Sequence, residues 1–277
     1  MFKRITVLRY HTVEPEGSAR LREEEKFYNV TPEKFREQVY YLKKSGYSAV
    51  SLKELISIEQ NDKLPRKPIM LTFDDGHISH YETVLPILKE YGFKGVFFLV
   101  VNEIGKEHRL NWEQAKALKD SGMEIGSHSL NHAIINKYSY PNLILELKAS
   151  KLELEENLGT EILAFSIPRG MYSPKISNVA RGMGYKLVFT SFAGNISLYS
   201  NPYCLRRMGM RSGYSMKEFD AIVRKSLFFV AKKRIGQFAK NKVKKIIGIK
   251  AYDRLKDSIF QRHNRLFLHP SLRGRTK

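Results

Sequence analysis

The sequence predicts an α/β fold, and three observations carry that expectation. Apolar runs with the look of strands recur near 4–9, 69–73, 95–101, 124–127, 162–167, 186–190 and 204–208. Helix-like segments near 32–45, 81–91, 112–121, 142–158 and 174–183 separate most of them, which is the rhythm of βα units. The chain has 277 residues, 42% of them hydrophobic, so about 210 residues of ordinary composition are available to fill a sizeable core.

Each element has a local reason. Ile69-Met70-Leu71-Thr72-Phe73 is apolar on both faces, as a strand covered on both sides requires. Thr31 followed by Pro32 reads as a helix N-cap and first helical residue, and Gly46 after Lys43-Lys44-Ser45 reads as that helix's stop. Residues 142–158 form a long charged helix, expected to pack outside the sheet. No internal repeat or low-complexity segment interrupts the pattern.

Chemistry enters where the apolar run ends. Thr72-Phe73-Asp74-Asp75-Gly76 is followed some fifty residues later by His128-Ser129-Leu130-Asn131-His132. Neighbouring side chains on a strand point to opposite faces, so two consecutive aspartates converge on one ligand only where the chain leaves the sheet, and Gly76 supplies that turn. His128 and His132 lie on one face in a helical turn, or converge through a loop. One aspartate with two imidazoles makes a divalent-metal set with positions left open for water. Asp-Asp-Gly alone is an ordinary turn, and His-x-x-x-His alone is an ordinary surface pair. Together, each at the end of a predicted strand, they point to a metal-dependent hydrolase.

At these residues the chain resembles the polysaccharide deacetylase family, the NodB-homology carbohydrate esterases. Thr72 to Gly76 match the family's T-F-D-D-G motif and His128 to His132 its H-[ST]-x-x-H motif. The likeness extends over most of residues 5 to 210, through Val7-Leu8-Arg9-Tyr10-His11, Thr31-Pro32-Glu33-Lys34-Phe35, Leu85-Pro86-Ile87-Leu88 and Ile125-Gly126-Ser127-His128. The resemblance implies a distorted (β/α) barrel of about seven parallel strands over residues 1–212. It also implies Asp75, His128 and His132 as metal ligands, with zinc as the first choice and cobalt, nickel or manganese as others. Asp74 becomes the general base that activates a water against an N-acetyl carbonyl. A third motif, usually Arg-x-Pro-Tyr-Gly, is matched by Phe165-Ser166-Ile167-Pro168-Arg169-Gly170, so Ser166 stands where many members have arginine. That leaves Arg169 to compensate, or to offer its backbone N–H to the oxyanion. For the general acid there are two candidates: His269, in the family-like Leu266-Phe267-Leu268-His269, and His11, at the end of the first strand. His77 is a candidate for lining the substrate groove.

After residue 213 the character changes. Residues 213–277 hold eighteen Lys or Arg against four Asp or Glu, a net +14 out of the chain's +20. Phe219, Ile222, Val223, Leu227 and Val230 recur at helical spacing, as do Ile235, Phe238, Ala239, Val243, Ile246 and Ile247. Basic amphipathic helices of this kind suit an anionic membrane surface, or pack on the barrel with lysines outward. Nucleic acid is disfavoured as a partner because no recognised nucleic-acid module is present.

The N-terminus runs directly into the first strand without an apolar leader, and Cys204 as the only cysteine excludes an internal disulfide. The expected setting is the cytoplasm, peripheral to the inner membrane face. The expected substrate is an acetylated glycan or a lipid-linked amino sugar. The alternatives are a deformylase or deacetylase of another carrier-linked amino sugar, or a catalytically impaired glycan-binding or membrane-docking protein.

Overall fold

The computed structural model describes residues 4–57 and 64–225, with 231, 235 and 236 besides. In chain order the elements are β1 (Thr6–Tyr10), α1 (Glu23–Lys26), α2 (Pro32–Lys44), β2 (Ser48–Ala49), α3 (Leu52–Ile56), β3 (Pro68–Asp74), α4 (Leu85–Tyr91), β4 (Val96–Leu99) and α5 (Trp112–Asp120). There follow β5 (Glu124–Ser127), α6 (Tyr140–Leu158), β6 (Ala164–Ser166), α7 (Pro174–Gly182), β7 (Leu187–Phe189), β8 (Met208–Gly209) and α8 (Met216–Val223). The strands form one parallel sheet in the order β7-β6-β5-β4-β3-β1-β8, with the short β2 pairing with β3 beside that path.

The sheet curls into a distorted barrel. Phe189 of β7 bridges Leu205, and three residues later Met208 and Gly209 pair with Leu8 and Arg9 of β1. Segment 205–209 therefore joins the last strand to the first, and only two of its residues form a regular strand. The register places Arg9 opposite Thr72 and Tyr10 opposite Phe73, so alternate residues of β1 and β3 face the barrel interior and the helices.

Two apolar layers follow from that alternation. Leu8, Tyr10, Leu71 and Phe73 join Phe35, Val39 and Leu42 of α2 in the outer layer. Val7, Met70, Val96, Phe98, Leu187 and Phe189 fill the barrel floor. Each such side chain stabilises the fold by about 1.5–3 kcal/mol relative to exposure. Tyr10 belongs to the core, since its hydroxyl donates to Gln38 Oε1 at 2.8 Å and its ring stacks on Phe73 at 5.4 Å.

The expected caps are present. Lys34 N–H donates to the Thr31 hydroxyl at 3.4 Å, and Gly46, at φ +74°, donates to the Lys43 carbonyl. Three findings refine the expected element map. β2 is too short to register as an apolar run. The predicted strand at 204–208 is irregular until Met208. Phe219, Ile222 and Val223 of α8 are fully buried in the outer layer, with Phe219 edge-on to Tyr41 at 5.9 Å, so helical packing on the barrel continues past residue 213. Apart from α8, most of the basic segment lies outside the described residues. Among the described residues no helix is long and apolar enough to cross a membrane.

Candidate active site

β3 ends at Asp74, and the chain turns immediately. Asp75 takes φ +78° and Gly76 φ +68°, which brings the two carboxylates to the same rim of the barrel. Past β5, residues 128–132 form a loop rather than a helical turn: Ser129 is at φ +73° and His132 at φ +54°. The Ser129 hydroxyl accepts from His132 N–H at 3.0 Å, and the Ser129 and Leu130 carbonyls accept from Val101 and Asn102 N–H. Among the described residues, the non-glycine positions with positive φ are Asp75, His108, Ser129, His132, Arg169 and Lys225, and all but His108 and Lys225 belong to this rim. Such backbone costs on the order of 1–3 kcal/mol per residue and persists where packing over-determines it.

The loops bring Asp75, His128 and His132 together, one ligand atom of each lying within 4.8 Å of the others. Asp75 Oδ1 is 3.2 Å from His128 Nε2 and 3.3 Å from His132 Nε2. His128 Nδ1–H donates to the Ser166 carbonyl at 2.7 Å, which fixes the tautomer that turns the Nε2 lone pair toward Asp75. Asp75 Oδ1 is buried without a hydrogen-bond partner. Ligand atoms about 2.1 Å from one ion stand about 3.0–3.4 Å apart at ordinary coordination angles, so the donor set fits a divalent cation. Burial favours neutral Asp75, but the His132 and His128 imidazoles outweigh it and hold the carboxyl well below its ordinary value.

Asp74 is held differently. Burial would raise its pKa, but Arg207 overcomes this with two parallel hydrogen bonds, Nη1 to Oδ1 and Nη2 to Oδ2, both 2.8 Å. The carboxyl stays far below its usual range and remains ionised. Arg207 is itself fully buried. It donates further to Ser166 Oγ at 2.7 Å, Thr72 Oγ1 at 3.2 Å and the Thr190 carbonyl at 3.1 Å, with its guanidinium 5.5 Å from the Phe98 ring.

The serine in the third motif is thereby explained. Ser166 is small enough to admit a guanidinium arriving from segment 205–209, and its hydroxyl accepts from it. Sequence reading passed over Arg207. Its signal was an arginine inside an apolar run, since a buried guanidinium requires a carboxylate partner.

The remaining sequence candidates divide. His11 faces the site: Asp75 and Asp74 both act on its ring, which lies 4.7 Å from that of Tyr28, and burial pushes its pKa down to about 4. Arg169 is the exposed residue of the turn Pro168–Gly170, at a left-handed φ of +56°, close enough for its charge to act on His132. His77 corrects an expectation. It is fully buried, Nδ1 accepts the Ser79 N–H at 3.1 Å, and Nε2 reaches the Arg20 carbonyl at 3.3 Å, so its ring binds loop to loop instead of lining a groove. His80 is also internal, donating to the His11 carbonyl, with its pKa pushed down by burial to about 3. His269 lies outside the described residues.

Known proteins share this arrangement of chain. A family model described as polysaccharide deacetylase matches residues 61–188. The Bacillus subtilis protein YxkH is 28% identical over 221 residues, 79% of this chain and 76% of its own. The poly-beta-1,6-N-acetyl-D-glucosamine N-deacetylase of Staphylococcus aureus is 26% identical over 197 residues, 66% of this chain and 68% of its own. Among solved structures, the Streptococcus pyogenes deacetylase PplD in complex with acetate superimposes with a TM-score of 0.72 at 28% identity, covering 81% of this chain and 99% of that one. With a parallel barrel and the two motifs at its rim, the chain is similar to the polysaccharide deacetylases in both sequence and fold.

Proposed function

We propose that this protein is a metal-dependent N-deacetylase of N-acetylated amino sugars in a glycan or lipid-linked saccharide. The observation that carries the reading is the pairing of two adjacent carboxylates with opposite partners: Asp75 with two imidazoles, Asp74 with one guanidinium.

In this reading Asp75, His128 and His132 hold a divalent cation, zinc foremost. Bound there, such an ion polarises a carbonyl and makes a water more acidic. Asp74 takes the proton from the attacking water as oxygen joins the carbonyl carbon. Arg207 keeps Asp74 ionised and aimed, so the base is ready at any physiological pH. The Arg169 backbone N–H serves the developing oxyanion, supported by its left-handed turn beside His132.

When the C–N bond breaks, the nitrogen needs a proton. His11 is neutral at pH 7, because burial pushes it to about 4, so it can deliver a proton only after receiving one. Asp74 holds the proton taken from water, and His11 relays it to the leaving nitrogen. The products are acetate and a free amine.

Metal analysis of the purified protein, followed by acetate assay on N-acetylated saccharides, tests the reading. Metal-loaded protein releasing acetate supports it. Release of formate from an N-formyl sugar instead would shift the acyl group, and release of neither would overturn the function.

A further inference from the structure

Beside the metal-ligating loops stand two guanidinium groups of a different kind. Among the described residues Arg20, Arg22, Arg36, Arg109, Arg207 and Arg224 each pair with a carboxylate. Among the same residues no ion pair includes Arg9 or Arg211.

Arg9 lies in β1 opposite Thr72 and Gly209, on the barrel-facing side. Its Nη1 donates to Ser191 Oγ, and its Nε is buried without a partner. Room for this side chain depends on two glycines. A Cβ at Gly209 would come within 2.9 Å of Arg9 Nη2, and one at Gly170, whose φ is +65°, would come within 2.2 Å of Ser191 Oγ. Arg211, just past β8, lies over the rings of Phe27 at 5.4 Å and Tyr214 at 4.5 Å. Phe27 packs edge-on against Tyr28, which packs on His11. The charges of both arginines act on the Tyr214 hydroxyl, so they belong to one side of the mouth.

A half-buried guanidinium with an unsatisfied Nε costs free energy unless an acceptor reaches it. The nearby carboxylates are already committed, Asp74 to Arg207 and Asp75 to the imidazoles. A divalent cation would make the mouth more positive still. The acceptor must then come from outside, as an anion. Forked guanidinium donors suit phosphate and carboxylate oxygens.

Building on the deacetylase reading, we propose that Arg9 and Arg211 form an anion subsite that selects acetamido sugars carrying a phosphate or carboxylate next to the reacting residue.

The test uses the full-length chain stripped of metal and titrated calorimetrically with N-acetylglucosamine, its 1-phosphate, N-acetylmuramic acid and inorganic phosphate. At least one charged sugar is expected to bind roughly 10–100-fold tighter than the neutral one, the range for a charge-assisted contact. Phosphate and carboxylate arms separate the two sources of charge. Arg9→Gln and Arg211→Gln should each shrink that ratio. Arg9→Lys should retain part of it, and Gly209→Ala, which displaces the guanidinium without removing charge, should shrink it with the chain's composition otherwise intact. Circular dichroism of each variant separates unfolding from lost selectivity.

Equal affinity for charged and neutral sugars, or an unchanged ratio in a folded Arg9→Gln protein, overturns the subsite. Inorganic phosphate binding as tightly as the sugar phosphate overturns its role in substrate selection. With zinc-loaded protein, acetate release at equal kcat/KM from neutral and charged sugars also overturns the subsite and leaves deacetylation standing. Absence of acyl release from every sugar removes the deacetylase reading, while the metal-free binding ratio is judged on its own.

Discussion

Replacing Arg207 by methionine tests the electrostatic support of Asp74. Methionine is unbranched and apolar, so it keeps the packing of the stem beside the Phe98 and Phe189 rings while ending short of the guanidinium nitrogens. What is lost is the partner of a fully buried carboxylate, together with donors to Ser166, Thr72 and the Thr190 carbonyl. Breaking a buried pair from one side costs about 3–5 kcal/mol, and at about 2–4 °C per kcal/mol the midpoint should fall by about 6–20 °C. The pH dependence has a definite sign. In the native protein the Asp74 pKa is depressed, so its stabilising contribution is complete above the unfolded value of about 3.9 and is lost as pH falls through the folded one. Without the guanidinium, burial, already the largest influence, is opposed far less and the folded pKa moves upward. The variant should then regain stability relative to wild type as pH falls from 7 toward 4. Urea denaturation of metal-free protein at the two pH values measures both effects. A loss under about 1 kcal/mol at pH 7, or the same loss at pH 4, would refute the reasoning. Moving the charge back with Ser166→Arg/Arg207→Ser should recover part of the loss, since Ser166 Oγ already lies 2.7 Å from Arg207 Nη2.

Further outcomes follow from the same geometry. Asp75→Ala, His128→Ala and His132→Ala should each strip divalent metal, because three protein ligands leave no spare; near-stoichiometric metal in all three by elemental analysis would contradict the ligand set. Asp74→Asn should keep metal while kcat falls roughly 10²–10⁴-fold, the ordinary worth of a general base, and near wild-type turnover would assign the base elsewhere. Truncation after residue 225 should leave a folded, metal-binding barrel that loses salt-sensitive co-sedimentation with anionic vesicles. Truncation after 212 should also unfold at lower denaturant, because it removes the buried Phe219, Ile222 and Val223 at about 1.5–3 kcal/mol each. Equal midpoints for the two truncations would deny the packing role of α8.

How much could be read beforehand depended on whether the signal was local. Thr31 and Pro32 announce their helix because a cap is satisfied within four residues. Asp74, Asp75, His128 and His132 are legible because two short motifs compress the site into ten positions. Arg207 was not, because its partner lies 133 residues away and nothing near it in sequence marks the contact. His77 misled for the converse reason. Adjacency to Asp75 suggested the groove, while the backbone at Gly76 turns the ring inward toward Ser79. The short β8 likewise owes its pairing to β1, two hundred residues earlier, and not to any run of its own.

The closing segment 205–209 has a consequence for how this protein fails. The barrel's closing join and the guanidinium that serves Asp74 occupy the same few residues, so opening the join withdraws the guanidinium with it. Segments held by few ladder bonds open at lower free energy than the sheet they complete. Opening here would withdraw Arg207 from Asp74 while β3 and β5, which lead into Asp75 and the loop of His128 and His132, stay paired through β4. Under mild denaturant, turnover should therefore vanish before bound metal does, and amide exchange at Leu205 and Arg207 should track the loss of turnover. The enzyme would fall silent with its ion still in place.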